Sequence, residues 1–262
     1  MLGAIVGDVV GSIYEFDNHR SKDFELVTER CFVTDDSIMT LAVCKAVMEH
    51  KRTREPLGPL TIRYMQEIGR PYPYCGYGGR FMDWMYSDEP KPYNSYGNGA
   101  AMRVSPVVYA ARSFEEAIRM SREVTEVTYN HPEGIKGAEA TVAAMWMAAN
   151  GKTKKEIGDY IHTNYYDLHF TIDEIRPTYQ FNETCQNTVP QAIEAFLEST
   201  DFEDAIRTAI SVGGDSDTLA AITGAIAGVY YGIPQHIART VFDKLDPRLQ
   251  GILNEFERAW VL

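Results

Sequence analysis

The chain has 262 residues, of which 45% are hydrophobic, and a formal net charge of −12. That is enough apolar material for a sizeable core in one large domain, and it excludes wholesale disorder. The acidic balance argues against general nucleic-acid binding, although a single nucleotide in a pocket remains compatible with it.

In chain order, Met1–Tyr14 predicts a first helix with Gly3, Gly7 and Gly11 at four-residue spacing, a pattern that suits close helix packing. It lacks a basic leader and carries Asp8 inside the apolar run, so it reads as a buried helix and not as a signal peptide. This helix delivers Glu15, and a polar loop, Asp17–Lys22, follows. Phe24–Thr28 is a strand or a turn. Thr34 opens a second helix that closes on His50-Lys51-Arg52, where the dipole favours cations. Pro56–Ile68 predicts a third helix. Residues 71–99 are crowded with Gly, Pro, Tyr and Asn and read as loops around a short helix at Arg80–Tyr86. Helices are then expected over Ala100–Ala111, Phe114–Tyr129 and Glu133–Asn150, with His131-Pro132 just ahead of the last. Further helices are expected at Thr153–His162, Thr184–Leu197, Asp201–Ser211, Asp215–Tyr231, Gln235–Lys244 and Asp246–Trp260. The fold class is therefore all-α, one domain over residues 1–262. No segment has the length and apolarity of a membrane span. Four scattered cysteines, with no CxxC pair, point to a reducing, cytoplasmic compartment.

Two stretches carry the chemistry. Thr34-Asp35-Asp36 and Gly214-Asp215-Ser216-Asp217-Thr218 each set oxygen ligands at the start of an apolar helix. Together they hold four carboxylates and two threonine hydroxyls, and neither contains a lysine or arginine. Carboxylates buried that close together must be protonated or paired with cations. Carboxylate and hydroxyl oxygens suit one or two hard divalent metals such as Mg²⁺ or Mn²⁺, with plain helix capping as the alternative. Glu15 is a spare carboxylate, available as a base or as a solvent-exposed helix end. The glycine and tyrosine loops suit backbone contacts to phosphate and stacking on a base, with Tyr72, Tyr74, Tyr93 and Tyr96 available for the latter.

The ordered set Gly7-Asp8, Gly11, Glu15, Thr34-Asp35-Asp36, Gly97-Asn98-Gly99-Ala100-Ala101-Met102-Arg103, His131 and Gly214–Thr218 resembles the ADP-ribosylglycohydrolase family. The resemblance implies an orthogonal helical bundle with a binuclear Mg²⁺ or Mn²⁺ centre in a central cleft. It implies Thr34, Asp35, Asp36, Asp215, Asp217 and Thr218 as metal ligands, and Glu15 on the catalytic side, with Asp215 as the alternative base. It implies Asn98, Gly99 and His131 along an ADP-ribose groove, with Gly76 and Gly78 in the place of a phosphate-facing loop. The expected reaction is cleavage of the glycosidic bond between ADP-ribose and a modified protein side chain or small conjugate, releasing ADP-ribose. A catalytically silent ADP-ribose-binding or structural relative, and a binuclear nucleotide phosphohydrolase, are the rival readings. The acceptor and the oligomeric state are open at this point.

Overall fold

Fifteen α-helices succeed one another along residues 1–260, the part described by the computed structural model, and no strand occurs among them. The first, α1 (Leu2–Gly11), is buried from Gly3 onward and ends three residues before the expected boundary. Phe24–Thr28 is a bent segment, not a strand. In α2 (Asp35–Thr53) the Thr34 hydroxyl accepts the Asp36 N–H and so caps the first turn, while His50, Lys51 and Arg52 fill the last. Next come α3 (Leu57–Gly69) and α4 (Gly79–Tyr86).

The single helix expected over Ala100–Ala111 is split in two. Pro106 has no N–H to continue the ladder, so α5 (Gly99–Met102) stops and α6 (Pro106–Ala110) starts afresh with the proline in its first turn. Then follow α7 (Phe114–Thr125), α8 (Pro132–Ala149), α9 (Lys154–Asn164) and α10 (Ile172–Ile175). The last was not expected from the sequence. Its start is fixed by a capping box between Thr171 and Glu174. The predicted Thr184–Leu197 helix opens as a 3₁₀ turn, Cys185–Asn187, before α11 (Val189–Glu198). The chain closes with α12 (Phe202–Ser211), α13 (Ser216–Tyr231), α14 (Gln235–Phe242) and α15 (Pro247–Trp260).

The central pair is α1 against α13, the most closely packed helices of the bundle. The small residues of both make this possible. A Cβ on Gly7 would fall on the Ala220 carbonyl, one on Gly3 on the Gly224 carbonyl, and one on Gly11 on the backbone at Asp217. The two helices therefore touch backbone to backbone, and α8, α11 and α12 pack around α13 to bury it. One contiguous apolar core runs through these helices and includes Ile5, Met39, Phe196, Phe202 and Phe256. No helix among the described residues is long and apolar enough to cross a membrane. The tight α1–α13 contact is what brings Glu15 and Asp215, far apart in sequence, to the same end of the bundle.

Candidate active site

The site is built outward from Asp8, which is wholly buried on α1. Its carboxylate accepts the Thr34 hydroxyl at 2.6 Å and the Thr34 N–H at 3.2 Å. It also accepts the Ser37 N–H at 3.1 Å and the Ser37 hydroxyl. Four donors thus converge on one acid and fix the turn that opens α2. Burial, and then the charge of Asp217, push the Asp8 carboxyl up to about 7. Thr34 spends its hydroxyl on Asp8 and on the Asp36 N–H. It does not line the cleft described next.

The second motif is reached through Gly213 and Gly214, both in the left-handed region with φ of 77° and 74°. Asn18 pins this turn: its amide donates to the Gly214 carbonyl at 2.9 Å and accepts the Gly214 N–H at 2.7 Å. The loop that follows Glu15 is in this way clipped to the residue before Asp215. The two acidic motifs meet where the Thr218 hydroxyl donates to Asp36 Oδ2 at 3.2 Å. Asn98 joins them, donating from Nδ2 to Asp215 Oδ2 at 2.7 Å and to the Thr188 hydroxyl at 3.2 Å.

Glu15, Asp35, Asp36, Asp215, Asp217 and Thr218 line one cleft of about 260 Å³. Burial, followed by the charge of Asp217, raises Glu15 and Asp35 to about 8. The same two causes, in the same order, hold Asp36 and Asp215 well above the usual carboxylate range. Arg103 offsets this only weakly: its charge acts on Asp35 less than burial or the neighbouring acids do, and the side chain is fully buried, lies over the Tyr129 and Phe81 rings at 4.8 and 5.6 Å, and donates to the Thr128 hydroxyl. The residues present fit divalent cations. Asp36 Oδ1 is buried with no hydrogen-bond partner among the described residues. Carboxylate oxygens of Glu15, Asp215 and Asp217 lie within 4.8 Å of one another. The donor set is all oxygen, the choice of hard cations.

The opposite wall comes from the glycine-rich loops. Gly76 has φ +114°, and a Cβ there would stand 2.8 Å from Asp35 Oδ1. The Asp35 N–H donates to the Cys75 carbonyl at 2.9 Å, which docks this loop on the acidic turn. Gly78 lies on the wall just ahead of α4 and a Cβ there would meet nothing within 4 Å. Gly99 is pressed against the Tyr129 hydroxyl, which occupies the space of a side chain.

Not every expected residue joins the cleft. His131 caps α8 through Nδ1, which accepts the Glu133 N–H at 3.1 Å, and its ring rests against Tyr96. It is absent from the cleft lining. Among the tyrosines singled out for stacking, Tyr93 lines the cleft, Tyr74 points into solvent, and Tyr72 donates to Asp246 at 2.6 Å. The sequence did not single out Tyr129, Phe81 or Glu183, which do line it. Nor did it reveal the orienting role of Asp8, although an acid inside an apolar helix was the available signal.

A family model described as ADP-ribosylglycohydrolase matches residues 1–260. The chain is 26% identical over 313 residues to "ADP-ribosylhydrolase ARH3" of Homo sapiens, an alignment covering 90% of this chain and 85% of that one. It is 24% identical over 305 residues to "ADP-ribosylarginine hydrolase Tri1" of Pseudomonas putida, covering 99% and 77%. Its fold is similar to that of a chain in the solved "ADP-ribosylglycohydrolase-related protein complex", with TM-score 0.71, 22% identity and coverage of 98% and 96%.

Proposed function

The chain belongs to the ADP-ribosylglycohydrolase family, and from that premise we propose that it hydrolyses the bond between the anomeric carbon of ADP-ribose and an acceptor. The observation that carries this reading is the meeting of the two acidic motifs through Thr218 and Asp36 on the cleft that Glu15 also lines.

Asp35, Asp36, Asp215, Asp217 and the Thr218 hydroxyl would hold two divalent cations, Mg²⁺ or Mn²⁺, and the Thr34 oxygen, whose proton goes to Asp8 and one lone pair to the Asp36 N–H, keeps its second lone pair for one of them. Bound there, the cations would offset the carboxylate charge, return Glu15 to its ionised form and fix the ribose hydroxyls. The remaining steps belong to the chain's own residues. Glu15 accepts no hydrogen bond at its carboxylate among the described residues, which leaves it available to take a proton from the attacking water. Asp215, by contrast, is engaged by Asn98, which suits a positioning role better than that of a free base, though it remains the alternative. The bond breaks through an oxocarbenium-like state, and the surrounding acids favour the positive charge that develops on the ring. Gly76, Gly78, Gly79 and Arg80 line the part of the cleft where a diphosphate would lie, and Tyr93, Tyr129 and Phe81 line it where the base would meet aromatic side chains. His131 supports the groove indirectly, through the start of α8 and its contact with Tyr96.

We assign this activity to one domain over residues 1–262 and to the cytoplasm, in keeping with four free cysteines. The test is release of free ADP-ribose from ADP-ribosyl-arginine, ADP-ribosyl-serine peptide and O-acetyl-ADP-ribose, each with Mg²⁺, with Mn²⁺ and with EDTA. Metal-dependent release from one conjugate is the expected result and names the acceptor. Tight ADP-ribose binding with no release from any conjugate would overturn hydrolysis in favour of a binding protein. Glu15→Ala is expected to abolish turnover while metal content stays at the wild-type level.

A further inference from the structure

A second group of metal-ligating side chains lies outside the cleft, at the C-terminal end of α9. His162 sits in the last turn of that helix, and Asp167 and His169 follow in the loop leading to α10. Asp167 Oδ1 stands 3.4 Å from His162 Nδ1 and 4.0 Å from His169 Nε2. The two imidazole rings are 4.2 Å apart between centroids. One ligand atom from each residue falls within 4.8 Å of the others.

Local hydrogen bonds explain why these three groups converge. The His169 N–H donates to Asp167 Oδ1 at 3.0 Å, turning the loop back on itself and fixing the carboxylate. The Leu168 N–H approaches His162 Nδ1 at 3.3 Å, so that nitrogen is held as an acceptor with its lone pair toward the loop. The nearby cations are already committed: Lys154 to the Leu197 carbonyl at 3.1 Å, and Lys155 to Asp159 at 2.6 Å. Among the described residues, neither lysine pairs with Asp167.

We propose that His162, Asp167 and His169 form a surface site for a borderline divalent transition-metal cation of the Zn²⁺, Ni²⁺ or Cu²⁺ class. In a tetrahedral site with bonds near 2.0–2.1 Å, ligand atoms stand about 3.4 Å apart, so the 3.4 Å pair is already at that spacing; the cation takes the Nδ1 lone pair from the weak Leu168 N–H contact, and His169 turns inward to join it. Water completes the coordination. Two imidazoles and one carboxylate select this class, whereas the all-oxygen cleft selects hard cations, so the two centres divide metals by ligand softness. The bound cation would join the end of α9 to the loop before α10, adding to the Tyr165 and Tyr166 N–H bonds to the Ile161 carbonyl.

The test uses the full chain without a histidine tag, with excess Mg²⁺ present to fill the oxygen-lined cleft. Titration with Zn²⁺ is expected to give one site that weakens about 100-fold or more in His162→Ala/His169→Ala. Electron paramagnetic resonance of the Cu²⁺ form is expected to show coupling to two imidazole nitrogens, one in each single variant and none in the double. All three side chains are at the surface, and metal-free unfolding of the variants, expected to match the wild type, separates lost ligands from lost fold. An affinity that changes less than threefold in the double variant, or a Cu²⁺ spectrum without two-nitrogen coupling in the wild type, would overturn the proposal.

Discussion

The Thr34 hydroxyl donates to the Asp8 carboxylate across 2.6 Å, so one buried acid on the first helix sets the pose of the turn that carries Asp35 and Asp36. Asp8→Ala leaves the Thr34 and Ser37 donors buried and unpartnered. The expected loss is about 3 kcal/mol of stability, since each abandoned buried donor costs about 1–3 kcal/mol. Urea unfolding in EDTA measures it, and a wild-type midpoint would show that the network does not support the fold. Divalent-cation affinity is expected to fall together with stability.

Gly7→Ala tests the contact of α1 with α13. The new methyl would overlap the Ala220 carbonyl, and neither backbone can yield without moving a buried helix. A loss of about 3 kcal/mol or more is expected, at the upper end of overpacking costs. A stable, wild-type-like variant would mean that the helices separate more easily than their packing indicates.

Gly76 and Gly78 make a controlled pair. Gly76→Ala forces a Cβ into a positive-φ site and toward Asp35, at a strain cost of about 1–3 kcal/mol. Metal affinity is expected to drop about 10-fold, the equivalent of about 1.4 kcal/mol. Gly78→Ala meets no neighbour within 4 Å, so its fold and metal affinity are expected to stay at wild-type values while KM for the conjugate rises. Calorimetry with Mn²⁺ alongside steady-state kinetics separates the two, and equal behaviour of the variants would contradict the assignment.

Glu194, half-buried away from the cleft, is pushed up to about 7, first by burial and then by the charge of Glu198. The folded state therefore holds this proton more tightly than the unfolded chain, whose value is near 4.5. Its penalty is absent below about pH 4.5, grows as pH rises, and is complete above about 7. Glu194→Gln is expected to be more stable than the wild type by about 1 kcal/mol at pH 8, after allowance for solvent screening, and by nothing near pH 4.5. Thermal unfolding across that range in EDTA checks it. A constant difference at every pH would rule out titration as the cause.

The all-helical class and most helix starts were legible because local chemistry fixes them. Thr34, Asp201 and Asp246 cap where the sequence placed caps. The Gly3, Gly7, Gly11 spacing announced a close helix contact, though not that α13 was the partner. What sequence could not supply was long-range pairing: that Asn98 would reach Asp215, or that Asn18 would clip Gly214. Nor did motif membership announce that His131 would give its Nδ1 to a helix cap or that Thr34 would donate its hydroxyl to Asp8. Tyr129 and Phe81 carried no signal, because an aromatic in an apolar setting reads as core until the fold shows which face meets the cleft.

The backbone contact between α1 and α13 also governs how the molecule comes into being. Residues of α1, Leu2–Gly11, leave the ribosome well ahead of those of α13, Ser216–Tyr231, the surface that shields them. Through most of synthesis this apolar segment has no native partner, which favours transient association or capture by a chaperone. The acidic cleft inherits the same timetable. A nascent or prematurely terminated chain holding Thr34, Asp35 and Asp36 alone lacks Asp215, Asp217 and Thr218, so the cleft cannot form before α13 has been made.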